Sequence, residues 1–263
     1  VSAALYVSHT ELHNLSTQLR AVPQLSSRQN IILHLAVQSG LYYPVNWLRN
    51  LALNNSQTKH VFLNDVDFLP SFGLHSYLKS LIFQGLLLKK QVLVVPAFEF
   101  NEFADCNFPL NKSELLTIWK QRCVNYFHQY YFKLGHSRTN YKKWISAVEP
   151  YYAEWGDGYE PYIVGNKHVL PRYDEQFVGR IRDKVQHITH VKALGFKFLV
   201  LPDVFIIHLY HPTAPRVEYT HCATRAYYKW EQMILQKYGH NEDYVKGRLN
   251  DTLLTNRHVS QHK

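Results

Sequence analysis

Cysteine is scarce in this sequence, and the few cysteines present follow no ligand spacing. Cys106, Cys123 and Cys222 are too few for a disulfide scaffold, and their odd number leaves at least one thiol without a partner inside the chain. Because no Cys-x-x-Cys pair occurs, the sequence argues against a structural zinc site. Which of the three cysteines pair is left open.

Long apolar runs and long basic runs are also lacking. No apolar stretch reaches the roughly 18 residues that a membrane-spanning helix needs, and no signal peptide is recognisable. Although the formal net charge is +9, no run of five or more Lys or Arg appears, so we expect no nucleic-acid partner. The chain opens without Met in a strand-like run. We therefore expect a domain of a longer precursor, with any membrane anchor outside this chain.

The composition is that of a folded domain with a large core. Hydrophobic residues make up 46% of the 263 residues, and nothing in the composition indicates disorder. We expect one catalytic domain over residues 1–240 and a polar C-terminal tail over residues 241–263.

Strand-like and helix-like segments alternate through the first hundred residues. The predicted strands cover residues 3–7, 31–37, 61–63 and 91–96, and the predicted helices cover residues 11–20, 44–53 and 74–88. This alternation predicts an α/β fold whose sheet contains parallel strands and carries helices on its faces. Further along, we predict helices over 113–130, within 173–194 and over 220–238, a long loop over 135–162, and strands at 162–164, 196–201 and 204–209.

The most informative motif is an apolar run that ends in two acids separated by one residue. Residues 59–70 read Lys-His-Val-Phe-Leu-Asn-Asp-Val-Asp-Phe-Leu-Pro. If the run is a strand, Asp65 and Asp67 point to the same side at its carboxyl end, which is where ligands bind in such sheets. Two carboxylates there can hold a hard divalent cation, which can in turn hold a diphosphate. The same pattern also occurs in turns and helix caps, which is the alternative reading.

A histidine late in the chain is a candidate third ligand. His208 closes the apolar run at residues 205–208. Imidazole and carboxylate together suit Mn²⁺ or Mg²⁺. The alternative is a strand-end histidine bonded to the backbone.

Three long blocks and a series of short ones carry a resemblance to a known family. Residues 43–50 read Tyr-Pro-Val-Asn-Trp-Leu-Arg-Asn, residues 62–70 contain the two acids, and residues 201–212 contain Leu-Pro and His-x-x-His-Pro. Shorter matches follow in order at residues 94–99, 135–136, 139–141, 143–144, 154–155, 160–162, 173–174, 177–179 and 184–185. Together these blocks resemble the glucuronyltransferase domain of LARGE-type glycosyltransferases, glycosyltransferase family 49, to which a β-1,4-glucuronyltransferase is related.

The resemblance implies a fold, a reaction and a location. The fold is the GT-A glycosyltransferase fold, a Rossmann-like mixed central sheet with flanking helices. The reaction is the inverting transfer of glucuronic acid from UDP-glucuronic acid to a xylose-terminated glycan on a glycoprotein, in matriglycan-type O-mannosyl glycan synthesis. It depends on Mn²⁺ or Mg²⁺. The location is the Golgi lumen, as the lumenal domain of a type II membrane protein.

The resemblance also implies roles for particular residues. Asp65 and Asp67 bind the metal and the diphosphate, and His208 is the third protein ligand. Asn46 and Arg49 are assigned to the nucleotide or diphosphate, with an arginine that staples the helix to the sheet as the alternative for Arg49.

An inverting transferase needs a carboxylate that accepts the proton of the acceptor hydroxyl. Glu160, in an aromatic block at residues 155–162, is the first candidate for this general base. Asp157 and Asp183 are the other candidates. A cation should meet the sugar carboxylate, and the candidates are Arg49, Arg138 and Lys143.

One block departs from the family pattern. Residues 179–184 read Gly-Arg-Ile-Arg-Asp-Lys, where family members usually carry Gly-Phe-Gly-Trp-Asn-Lys. Two alternatives to glucuronic acid transfer stay open, and this departure motivates the second. One is a related transferase that uses another UDP-sugar such as UDP-GlcNAc, and the other is a catalytically weak, glycan-binding homologue.

Overall fold

The computed structural model describes residues 1–102, 104–179, 181–211, 220–239 and residue 244. Strands and helices alternate along these residues. The strands are β1 (Ser2–Val7), β2 (Ile32–Val37), β3 (His60–Phe62), β4 (Phe68–Pro70), β5 (Gln91–Val95), β6 (Ala97–Phe100), β7 (Val124–Tyr126), β8 (Tyr151–Ala153), β9 (Tyr162–Asn166), β10 (Lys197–Val200) and β11 (Ile206–His208). The helices are α1 (His9–Arg20), α2 (Pro23–Ser27), α3 (Val45–Asn54), α4 (Leu74–Phe83), α5 (Lys112–Lys120), α6 (Lys133–Ser137), α7 (Tyr141–Ser146), α8 (Asp183–Ala193) and α9 (Thr220–Tyr238).

Three sheets form the framework, one of two parallel strands and two of mixed direction, with helices around them. Their strand orders are β1-β2, β3-β9-β5-β10-β8 and β4-β11-β6-β7. The pairs β1–β2, β5–β10 and β6–β11 are parallel, whereas β9 runs antiparallel to both β3 and β5. The predicted α/β class with a mixed sheet and flanking helices is confirmed.

The centre of the molecule is built around β5. Every residue of this strand is buried, which agrees with its unbroken apolar run because a strand covered on both faces needs no polar alternation. On one side lies a large aromatic cluster in which Trp144 is fully buried and donates a hydrogen bond to the carbonyl of Leu201 (2.9 Å). The fold thus holds the carboxyl ends of β5, β6 and β11 on a rigid base.

The helix predicted over residues 113–130 is wrong in its second half. Asn111 caps α5 by accepting a hydrogen bond from the amide of Glu114, and the helix ends at Lys120. The chain then turns through Arg122, which has a φ of 63°, and enters β7 beside β6. Cys123, at this turn, forms a disulfide with Cys106.

The long loop predicted over residues 135–162 is also wrong, because this region contains α6, α7 and β8. Tyr141 and Trp144 of α7 are buried, and they tie this short helix to the core.

The domain boundary predicted at residue 240 stays a prediction, and one residue beyond it belongs to the core. Helix α9 has the predicted bounds, but Tyr244, in the predicted tail, is fully buried with its ring centroid 5.3 Å from that of Trp155. The core therefore extends past residue 240. The rest of the predicted tail lies outside the described residues. Among the helices that the structure describes, none combines the length and the apolar character needed to cross a bilayer.

Candidate metal and donor site

The pairing of β4 with β11 places a carboxylate beside two imidazoles. Phe68 pairs with His208, and the amide of Leu209 donates to the carbonyl of Asp67 (2.8 Å). As a result, Oδ2 of Asp67 lies 3.3 Å from Nε2 of His208 and 3.1 Å from Nε2 of His211. The three side chains each offer a ligand atom, and these atoms lie within 4.8 Å of one another. We call Asp67, His208 and His211 the metal cluster.

The metal cluster fits a divalent cation. Within the described part of the chain, the buried Oδ1 of Asp67 has no hydrogen-bond partner, an arrangement that a cation would satisfy. Burial acts to raise the pKa of Asp67, but the hydrogen bond and charge of His208 outweigh it and hold that pKa below its usual range. An ionised carboxylate with two imidazoles suits Mn²⁺ and related first-row ions.

Asp65 and Asp67 do not stand at the end of a strand, which corrects the strand argument made from the sequence. Strand β3 already ends at Phe62, and the two acids lie in the turn before β4, where the amide of Phe68 donates to the carbonyl of Asp65 (3.3 Å). The period-two alternation of a strand therefore does not apply. The clustered ligand atoms are those of Asp67, His208 and His211, and the role of Asp65 as a metal ligand stays a prediction.

The side chain of Asp65 instead meets a cluster of donors. Its Oδ2 accepts hydrogen bonds from Nζ of Lys184 (3.0 Å) and from the hydroxyl of Tyr162 (2.9 Å), and Arg49 lies 3.6 Å from its Oδ1. Against the opposing effect of burial, Lys184 and Arg49 hold the pKa of Asp65 well below its ordinary value. The negative charge of Asp65 stabilises the protonated form of Lys184. The pKa of this lysine is therefore raised well above its ordinary value, although burial acts to lower it.

Two residues assigned to the nucleotide have internal partners. Asn46 is fully buried, donates to the carbonyl of Asp174 (2.9 Å) and accepts from Arg49 (3.0 Å). Arg49 donates to Asp183 at 2.6 Å. These contacts match the stapling alternative, with Arg49 linking α3 to the first turn of α8. They also leave Asp183 bound to a cation, which makes it a poor general base.

Glu160 has the surroundings expected of a general base. It is buried beside Gly135, whose carbonyl accepts from its amide (2.9 Å), and its Oε1 lies 3.9 Å from Nδ1 of His128. Burial raises the pKa of Glu160 to about 7, although the charge of Lys184 opposes the shift. The third candidate, Asp157, lies 3.6 Å from Arg182.

The other two cation candidates, Arg138 and Lys143, lie against other groups. The guanidinium of Arg138 packs against Gly156, where a Cβ would come within 2.5 Å of its Nε. Nζ of the exposed Lys143 lies 4.5 Å from the ring centroid of Tyr151. Of the three cations expected to meet the sugar carboxylate, Arg49 is the one that the described contacts place against Asp65.

Sequence reasoning did not single out Lys184 or His211 as site residues. Both stand in blocks that carry the family resemblance, Lys-Val at 184–185 and His-x-x-His at 208–211. Two histidines three apart, just after a buried strand, are a metal-ligand signal that could have identified His211.

The fold and the site define a class of protein: a mixed α/β chain with a carboxylate and two imidazoles clustered at a sheet edge, next to a buried lysine and a buried glutamate. The chain belongs to the family described as glycosyl-transferase for dystroglycan, whose sequence profile matches residues 7–239. It is 38% identical over 249 residues to xylosyl- and glucuronyltransferase LARGE2s of Danio rerio, covering 91% of this chain and 33% of that relative.

Two human proteins are similar to the same extent. The chain is 40% identical over 220 residues to human xylosyl- and glucuronyltransferase LARGE2 and 37% identical over 230 residues to human LARGE1, which covers 83% and 87% of this chain and 30% of each relative. The chain thus spans about a third of the length of these relatives. Among solved structures, GalNAc-T7 with UDP, GalNAc and Mn²⁺ aligns with a TM-score of 0.48 and 12% identity over 80% of this chain and 38% of that one.

Proposed function

We propose that this chain is a metal-dependent inverting glycosyltransferase domain of GT-A type. It transfers glucuronic acid from UDP-glucuronic acid to a xylose-terminated glycan of a glycoprotein, in matriglycan-type synthesis. Membership of a glycosyltransferase family whose relatives are named xylosyl- and glucuronyltransferases supports the reaction class. The observation that carries the metal dependence is the metal cluster, in which a buried carboxylate oxygen lacks a partner among the described residues.

In this proposal Asp67, His208 and His211 hold the cation, and Asp65 lies next to them. Bound Mn²⁺ or Mg²⁺ supplies positive charge that stabilises the departing diphosphate. Glu160 accepts the proton of the acceptor hydroxyl while that oxygen bonds to the anomeric carbon and the bond from that carbon to the diphosphate oxygen breaks. A pKa near 7 suits this task, because the carboxylate is then largely ionised at neutral pH and still basic.

Lys184 and Arg49 supply the positive charge expected for an anionic donor. Both lie against Asp65, and the pKa of each is raised, so both stay charged at neutral pH. We assign Lys184 to the anionic groups of the donor, either its diphosphate or its sugar carboxylate. Arg49 orients Asp65 from the opposite side of that carboxylate group.

The Golgi lumen is the proposed location, with a membrane anchor outside this chain as in a type II protein. The disulfide between Cys106 and Cys123 supports an oxidising compartment. The sequence also contains Asn-x-Ser/Thr acceptor sites at Asn14, Asn54 and Asn111, and these asparagines are exposed.

The test is the release of UDP from a panel of UDP-sugars, with and without Mn²⁺, on short xylose-terminated acceptors. Wild-type protein should turn over UDP-glucuronic acid only with the metal. Asp67→Asn should lower turnover about a hundredfold or more, because the cation loses its charged ligand. The exposed Asp203 lies outside the site, and Asp203→Asn is the matched control.

Two other results would replace the proposal. Turnover of UDP-GlcNAc in preference to UDP-glucuronic acid would indicate the related transferase. Metal-dependent UDP binding without turnover of any donor would indicate the glycan-binding homologue. The departure of residues 179–184 from the family pattern motivates this second result. In that block Arg182, with a φ of 59°, lies at the start of α8 with its guanidinium 4.6 Å from the ring centroid of Tyr227.

A further inference from the structure

Three exposed tyrosines lie beside the site without a role in the proposed chemistry. Tyr130, Tyr131 and Tyr210 are 73%, 84% and 56% exposed. Large aromatic side chains left in water at a functional site indicate a binding surface. We call these three residues the tyrosine platform.

Tyr210 joins the platform to the metal cluster. It lies between His208 and His211 in sequence, directly after Leu209, whose amide is bonded to the carbonyl of Asp67. Its hydroxyl donates to Oε1 of Glu102 at 2.7 Å, which fixes one end of the side chain. The segment that carries Tyr130 and Tyr131 follows Phe127, whose ring centroid lies 5.2 Å from that of His208.

Tyr131 joins the platform to Glu160. The segment that carries it begins at His128, 3.9 Å from Glu160, and continues to Gly135, where a Cβ would lie 2.9 Å from the ring of Phe132 and 3.2 Å from Cγ of Glu160. The tyrosine platform is therefore carried by two segments. One contains His208 and His211 of the metal cluster, and the other begins at His128, next to Glu160.

We propose that the tyrosine platform binds a sugar of the acceptor chain that is one or more units away from the reacting hydroxyl. This inference rests on the proposed function. The reacting sugar must lie at Glu160 and the donor at the metal cluster, so a surface beside both meets the next part of the acceptor. The C–H face of a pyranose ring packs on an aromatic face, and tyrosine supplies that face with little loss of side-chain entropy.

The experiment compares acceptors of different length on single variants. Methyl xyloside and xylose-terminated oligosaccharides of two and four sugars are assayed with Tyr131→Ala, Tyr210→Ala and Tyr210→Phe. The ratio of kcat/KM for the four-sugar acceptor to that for methyl xyloside should fall about fivefold in each alanine variant. Tyr210→Phe keeps the ring and should retain most of the ratio.

The control is another half-exposed tyrosine with an anchored hydroxyl. Tyr152 in β8 donates to Gln91 (2.8 Å) at the opposite end of β5, so Tyr152→Ala should leave the ratio unchanged. Saturation-transfer NMR of the four-sugar acceptor provides a readout without turnover. Its signal should weaken in the alanine variants.

The outcomes separate the two proposals. If wild-type protein transfers no sugar, the proposed function fails, and tyrosine-dependent glycan binding by NMR still supports the platform. If wild-type protein is active but the alanine variants keep both the length ratio and the NMR signal, the platform alone is overturned. An equal loss on methyl xyloside and on the four-sugar acceptor also overturns it, because the tyrosines would then act on the reacting sugar or on folding.

Discussion

At the scale of single residues, burial and charge act on Glu160 in opposite directions, and burial dominates. The carboxyl is closed off beside Gly135 while Lys184 supplies positive charge, and the resulting pKa is about 7. A base works in its ionised form, so a raised pKa moves the loss of activity on acidification towards neutral pH. We therefore expect kcat/KM to rise with pH and to level off above about 7.

Replacing this carboxyl tests the assignment. Glu160→Gln should lower kcat by about a hundredfold or more and remove the pH-dependent rise. The measurement is a pH–rate profile with saturating UDP-glucuronic acid, and Mn²⁺-dependent UDP binding serves as the control for an intact donor site. If the variant retained the wild-type pH–rate profile, Glu160 would not be the general base, and Asp157 would be the next candidate to replace.

The residues of the site were predicted unevenly, and the reason is physical. Asp67 and His208 are both predicted ligands, and the structure brings them together although 141 positions separate them in the numbering. Their contact depends on the register of β4 against β11, which no local pattern records. Asp65 was grouped with Asp67 because a strand was assumed, and the turn after Phe62 directs it to Lys184 instead.

At the scale of elements, strong local patterns were predicted well and tertiary constraints were not. Helix α9 has the predicted bounds, and the apolar run of β5 was recognised as a strand. The predicted helix over residues 113–130 failed because the pairing of β7 with β6 overrides helix propensity after Lys120. Such pairing is decided by residues distant in sequence.

The disulfide beside β7 gives a prediction at this scale. Cys106 and Cys123 close a loop with a sequence separation of 17, and a cross-link over a loop of this length stabilises a domain by about 3 kcal/mol. The double variant Cys106→Ser and Cys123→Ser should lose about that much free energy of unfolding in a urea titration. It should then show no further loss in reductant.

Cys222→Ser is the matched control, because it removes a thiol and keeps the pair. This variant should respond to reductant as the wild-type protein does. Equal stability of the double variant and the wild-type protein would show that the sheet alone holds the segment before α5 in place.

At the scale of the whole molecule, the α/β class followed from the order of elements, but the arrangement into three sheets did not. Alternating strands and helices indicate parallel neighbours, and β1–β2, β5–β10 and β6–β11 are parallel. The antiparallel insertion of β9 between β3 and β5 pairs β9 with a strand that lies about a hundred residues earlier in the chain, β3. That insertion brings Tyr162, at the start of β9, to Asp65 and so builds the donor side of the site.

The extent of the core is the remaining question at this scale, and Tyr244 decides it. The ring is fully buried and lies against Trp155, which stands close in sequence to Asp157 and Glu160. Removing a buried aromatic ring costs about 3 kcal/mol or more, so Tyr244→Ala and a chain ending at residue 240 should both unfold at clearly lower urea concentration than the full chain. Tyr152→Ala, at a half-exposed ring, should cost about 1 kcal/mol or less. If the chain ending at residue 240 is as stable as the full chain, the core closes without Tyr244 and the boundary predicted from the sequence stands.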